Sequence, residues 1–307
     1  MEIAVMIEGQ DGLNWEKWQE IVRTVEGSGY HGLFRSDHFT NSNPPDKDAL
    51  ELWVSLTWLA GNTSRIVFGP LVTPVSFRHP VQTARIAAAV DDLSGGRLIL
   101  GLGAGWQERE HEKFGFDLLK ENDRFKRFEE GLDVISSLLN NDQPVDFQGK
   151  YYNLKEAVLL PRPKRKGGPP ILIGGNGEKR TLPLAARYAS EWNAIYLTPQ
   201  KMKERNHKLD ELMAEQGRQP SDVCRSLMTG VVYGRNHQEV EEKVHRRTNS
   251  RFNQEELRER GVLVGVGGEI AEQIHTLAES RVDRIMLQWL ELDNISDLEA
   301  MAKDLLR

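Results

Sequence analysis

The stretch Phe34-Arg35-Ser36-Asp37-His38-Phe39 ends a short apolar run on an acid beside an imidazole. Histidine is the side chain whose charge changes nearest neutral pH, and with a carboxylate it is the usual carrier of protons in catalysis. If a strand carries the pair, alternation sends Ser36 and His38 to one side and Asp37 to the other. The imidazole then reaches one surface as a proton donor or acceptor, while the acid contacts something else.

Two glycine-rich stretches could serve the same site. In "GLGAGW", Gly101 to Trp106, missing side chains would let a flat ring or a phosphate approach the backbone, and Trp106 could line the edge of a pocket. The spacing is not that of the dinucleotide fingerprint GxGxxG, and tight turns explain it equally well. In "IGGNGEKRTLPLAARYA", Gly174, Gly175, Asn176 and Gly177 fall between an apolar run and a helical pattern, with Lys179 and Arg180 in its expected first turn. Cations there oppose the helix dipole unless an anion is near, so the stretch predicts phosphate at a helix N-terminus.

Metal and hydrolytic chemistry are not expected. His79, His111, His207, His237, His245 and His275 form no short ligand spacing, Cys224 comes too early in its strand to be an obvious nucleophile, and no GxSxG occurs.

These residues need elements to hold them. Short apolar runs begin at Ile3, Gly32, Arg65, Arg97, Pro170, Trp192, Arg225 and Asp283, and amphipathic helical patterns separate them. Eight strands alternating with helices predict an α/β chain with a parallel sheet, and eight such units fit a (β/α)8 TIM barrel. The chain is read as a single domain over residues 1–307. Two segments exceed a minimal barrel: a strand-rich insertion from Asp142 to Pro170, before strand five, and a polar helical insertion from Asn236 to Arg260, after strand seven. In a barrel the chemistry sits at the C-terminal ends of the strands, where Ser36 to His38, Leu71 to Thr73, Gly101 to Trp106, Gly174 to Gly177 and Tyr196 all fall.

Composition sets the outer limits. A net charge of -6 argues against a general nucleic-acid binder, a lone cysteine against a disulfide framework, and no run of about 18 apolar residues suggests a membrane span. A cytoplasmic protein acting on a small organic molecule is expected.

Taken in order, "SDHF", "GPLVTPVSFRHP", "DDLSGGRLILGLGAGWQEREHEKFG" and "PPILIGGNGEKRTLPLAARYASEWN" resemble the bacterial luciferase-like monooxygenase superfamily, in its deazaflavin-dependent oxidoreductase branch. The resemblance runs from Ile3 to the "VDRIMLQW" strand. It implies a TIM barrel with a flavin-type ring at the C-terminal mouth, coenzyme F420 or in other branches FMN, and a homodimer. It also implies site roles: Asp37 and His38 facing ring and substrate, with the histidine in proton transfer; Leu71-Val72 as a non-proline cis peptide behind the ring; Thr73 as a ring hydrogen-bond partner. Gly103, Ala104 and Gly105 match the loop beside the ring, and Gly175, Asn176 and Gly177 the phosphate loop. The family's sugar-phosphate dehydrogenases carry a Trp after the SDH motif and a Glu in the strand-four loop. Here those places read "TNSNPPD" and "GAGWQE", with Ala104 where the acid would be, so glucose-6-phosphate oxidation is not implied and the substrate stays open. An FMN-dependent two-component monooxygenase and a non-catalytic flavin-binding protein are the alternatives.

Overall fold

The computed structural model describes residues 1–306. Its eight barrel strands are β1 (Glu2–Ile7), β2 (Gly32–Arg35), β3 (Val67–Pro70, resumed at Thr73–Pro74), β4 (Leu100–Gly103), β5 (Ile171–Gly174), β6 (Glu191–Ile195), β7 (Cys224–Tyr233) and β8 (Arg284–Gln288). All pair in parallel, in the order β3-β2-β1-β8-β7-β6-β5-β4. The ring closes through β3 itself: Val67–Pro70 pairs with β2, and Thr73–Pro74 pairs with β4. Between the halves lies the Leu71–Val72 peptide, which is cis, as the family resemblance implies.

Strand alternation sorts the side chains. On β1, Ala4 and Met6 join Phe34, Ile99, Leu172, Met228 and Met286 in the barrel interior, while Ile3, Val5 and Ile7 pack outward under the helices. On β2, Arg35 points outward and is buried, donating to Ser55 Oγ at 2.7 Å and to the Leu50 carbonyl at 2.6 Å. The next two inward positions after Phe34 are Ser36 and His38. The helix Trp15–Ser28 between β1 and β2 starts where Asn14 accepts from the Lys17 N–H at 3.1 Å and stops at Gly29, whose φ of 93° only glycine adopts freely.

Both insertions form as expected. Val145–Gln148 and Asn153–Ala157 make an antiparallel hairpin before β5, and the helices His237–Thr248 and Gln254–Glu259 follow β7. Three elements differ from the sequence expectation. The helix after β5 begins at Thr181, because the chain is still turning through Arg180, which reaches back to Glu121 at 2.6 Å. A short strand, Leu263–Gly265, adds to β7. A seven-residue helix, Glu108–Phe114, has no apolar stripe to announce it; its inward residues are Glu110 and His111.

Gly101 packs against the backbone of β3. A Cβ there would stand 2.0 Å from the Pro70 carbonyl oxygen. Gly101→Ala is expected to lower stability by roughly 1–3 kcal/mol or more, read as a lower urea midpoint. An unchanged midpoint would show that this contact yields.

Candidate active site

A cavity of about 560 Å³ opens at the C-terminal mouth of the barrel. His38 reaches it from the end of β2, where the strand's alternation aims it inward. Its Nδ1 donates to Glu110 Oε1 at 2.9 Å, and the other carboxylate oxygen of Glu110 accepts the Phe39 N–H at 3.0 Å. Glu110 is 1 % exposed. The helix that carries it is locked by its neighbour His111, bonded to the Gln107 carbonyl at 2.6 Å and to Ser76 Oγ at 2.8 Å. Phe39 packs among Phe77, Phe114 and Phe116 on the same side. The imidazole is thus fixed as the tautomer with Nδ1–H toward the acid, and Nε2 is left for a ligand. Trp106, 59 % exposed, meets the ring edge-to-face at 5.6 Å.

Burial by itself would favour the neutral imidazole. The hydrogen bond and charge of Glu110 outweigh it, helped by the charges of Glu8 and Asp37, so the His38 pKa lies above its ordinary value.

Of the residues singled out in sequence, Ser36, His38, Leu71, Val72, Gly103, Ala104, Gly105, Trp106, Gly174 and Gly175 line the cavity. Asp37 and Thr73 do not. Asp37 points outward, its carboxylate accepting from the Thr73 hydroxyl at 2.6 Å and bound to Arg78 at 2.5 Å. That pairing uses the Thr73 hydroxyl, which is itself 1 % exposed, so both residues brace the mouth from behind.

The strand glycines serve Val72 first. A Cβ at Gly103 would lie 2.6 Å from one Val72 methyl, and Cβ atoms at Gly101 and Gly174 would each lie 3.2 Å from the other. Their absence lets Val72 lie flat as a shared apolar wall.

In the β5 loop, Asn176 is spent on structure, exchanging two hydrogen bonds with the Ile195 backbone at 2.7 and 2.9 Å. Gly175, with φ 124°, turns the chain there. Gly177 and Lys179 lie outside the cavity on the exposed rim, and Arg180 is engaged by Glu121. The N–H groups of Asn176, Gly177 and Glu178 make no hydrogen bond among the described residues. Three free donors ahead of a helix are the chemistry an anion seeks.

Sequence reasoning missed Glu110, Glu8, Gln10, Asn193 and Gln288. Glu8 and Gln10 follow the end of β1 and Gln288 closes β8, so the strand-end rule reaches them. No comparable signal marks Glu110. Cys224 takes no part: burial, then the charge of Glu191, pushes its thiol up to about 12.

A (β/α)8 barrel with an oriented imidazole and an apolar cavity at its C-terminal mouth defines an enzyme of the barrel type. Residues 2–261 match the family described as luciferase-like monooxygenase, and the chain belongs to that family. It is 34 % identical over 195 residues to a phthiodiolone/phenolphthiodiolone dimycocerosates ketoreductase of Mycobacterium tuberculosis, covering 62 % of this chain and 50 % of that protein. It is 29 % identical over 229 residues to an F420-dependent glucose-6-phosphate dehydrogenase of Microbacterium testaceum, covering 71 % and 65 %. A 4-hydroxyprotoasukamycin monooxygenase of Streptomyces nodosus is 30 % identical over 213 residues, covering 67 % and 53 %. The matched stretch thus spans half to about two thirds of these curated relatives. Among solved structures, an F420-dependent secondary alcohol dehydrogenase bound to an F420-acetone adduct superposes with TM-score 0.84 at 18 % identity, covering 99 % of this chain and 98 % of that one. The F420-dependent tetrahydromethanopterin reductase of Methanopyrus kandleri gives 0.79 at 19 %, covering 100 % and 99 %. These likenesses show the fold.

Proposed function

We propose that this chain is an F420-dependent oxidoreductase that exchanges a hydride between the deazaflavin and an organic substrate. The observation that carries the reading is His38 in the cavity wall, pinned at Nδ1 by a buried carboxylate, with Nε2 bonded to no group among the described residues. Binding alone needs no titratable group held in one tautomer; moving a proton does. In the cavity, Leu71 and Val72 offer an apolar backing for a flat ring; outside it, past Gly175, the free N–H groups of Asn176, Gly177 and Glu178 offer a place for the coenzyme's phosphate. When bound, the deazaflavin supplies the hydride chemistry. The chain's residues do the rest: His38 gives or takes the substrate proton at Nε2, Glu110 keeps the imidazole oriented, and the wall of Leu71 and Val72 excludes water. In this reading residues 1–307 act as one domain, in the cytoplasm, as a homodimer.

A two-component FMN monooxygenase is the second reading, favoured by the similarity to 4-hydroxyprotoasukamycin monooxygenase. The two separate on mixing protein and oxidised F420 anaerobically with a panel of secondary alcohols, and reduced F420 with the matching ketones. Loss or return of the coenzyme's visible absorption without oxygen is the expected result. Turnover that starts only when oxygen and reduced FMN are supplied would replace the proposal with the second reading.

The phosphate loop has its own expected outcome. Gly177→Val puts a side chain where even a Cβ would stand 3.1 Å from Thr181 Oγ1 and where backbone N–H groups must approach an anion. Affinity for intact F420 should fall about tenfold or more, while the phosphate-free deazaflavin fragment should bind both proteins alike. Equal affinity of wild type and variant for the intact coenzyme would move the phosphate elsewhere.

A further inference from the structure

Around the mouth, β2 to β5 present His38, the Leu71-Val72 wall and the glycines. The other arc, from β6 through β8 to β1, presents a chain of polar side chains that the proposed chemistry does not use. Tyr196, held at φ 52°, donates its hydroxyl to Gln288 Oε1, and Gln288 Nε2 donates to Glu8 Oε1 at 2.6 Å. From the opposite direction, the Gly9 N–H donates to Ser36 Oγ at 2.9 Å, and Ser36 Oγ donates to Gln10 Oε1 at 2.6 Å. Gln10 Nε2 then donates to Glu8 Oε2 at 2.9 Å. Both lines of donors converge on one carboxylate. Each oxygen of Glu8 has one protein donor and a second lone pair to offer, and Glu8 is only half-buried at the cavity wall.

One further feature of the same cavity agrees with that. No lysine or arginine is among the residues that line the cavity, whereas two glutamates, Glu8 and Glu110, are. Arg247, whose charge acts on Tyr196, is tied to the Val231 carbonyl at 2.8 Å and is not one of them.

We infer that Glu8 is the specificity-determining residue of this pocket, an acceptor for a hydroxyl or ammonium donor on the substrate, and that the pocket takes neutral or cationic molecules and turns away phosphates and carboxylates. The inference rests on the proposed function for its account of where substrate meets coenzyme. An anion placed here meets the carboxylate of Glu8 with no lysine or arginine in the lining to offset it. A donor finds an acceptor already oriented by two amides, so little ordering is left for binding to impose.

The test uses three probes of one shape, cyclohexanol, cyclohexylammonium and cyclohexanecarboxylate, titrated into the F420-loaded protein with saturation-transfer NMR as readout. F420 affinity is measured first by fluorescence. The expected order is ammonium, then alcohol, then carboxylate, with the carboxylate at least about tenfold weaker than the ammonium. Glu8→Gln should bring ammonium and carboxylate to within about twofold of one another and leave F420 affinity within about twofold. Tyr196→Phe, which removes a donor to Gln288 but no charge, should keep the wild-type order. A carboxylate that binds wild type as tightly as the ammonium, a preference that survives Glu8→Gln, or failure of all three probes to bind would each overturn the inference. The wild-type ranking decides the matter even if Glu8→Gln does not fold. Failure of wild type to bind F420 would count against the proposed function instead, and the same ranking is then read on the protein without coenzyme.

Discussion

His38→Ala should lower turnover by roughly 10²–10⁴ while leaving coenzyme affinity within about tenfold. The asymmetry follows from position. His38 reaches the cavity from the end of β2, whereas the apolar wall lies at the break in β3 and the free loop N–H groups follow β5. Removing the imidazole leaves those surfaces intact and takes away only the group at Nε2. Stopped-flow reduction of bound F420 by a competent alcohol would measure the loss, with equilibrium fluorescence titration as the check on binding. A variant that transfers hydride at the parental rate would reduce His38 to a polar residue at the end of a strand.

The second large effect belongs to Glu110. Glu110→Gln keeps the shape and a hydrogen-bonding group but removes the charge that holds the His38 pKa above its ordinary value against the opposing effect of burial. Turnover should fall roughly 10–100-fold, less than on losing the ring, and the pH profile should move. In the direction of alcohol oxidation the imidazole must start neutral, so the rate climbs as pH rises through the His38 pKa. With the carboxylate gone, that limb shifts to lower pH. The stability linkage has a definite sign as well. A folded pKa raised above the unfolded one contributes stability that is full below the unfolded value and is lost as pH rises through the folded one. The wild type should therefore lose more stability than Glu110→Gln across that window. A pH profile unchanged by the substitution would contradict the Glu110–His38 coupling; a loss of rate alone would not establish it.

Much of this was legible in the residues. Short apolar runs separated by amphipathic helical patterns imply the barrel, and the alternation along Phe34, Ser36 and His38 places the imidazole inward because neighbouring side chains on a strand face opposite sides. The same alternation sends Asp37 outward, where its carboxylate meets Arg78 rather than a ligand. What stayed hidden depended on contacts far apart in sequence. Glu110 lies 72 residues from His38 on a short helix that is polar up to its last residue, Phe114, so local pattern carries no trace of the pair. The glycines of β4 could be read as room for a ring; that they make room for Val72 shows only once β3 and β4 pair. Lys179 and Arg180 looked like phosphate ligands on the strength of the helix dipole. The helix starts after them, Arg180 turns to Glu121, and the backbone donors before the helix are what the loop leaves free.

The most direct test of the central claim is to titrate the purified protein with F420 and with FMN in separate experiments, following coenzyme fluorescence. The proposal predicts saturable binding of F420, at least about tenfold tighter than FMN, and weakened by Gly177→Val but not by His38→Ala beyond about tenfold. Tight binding of FMN with no measurable binding of F420 would contradict it.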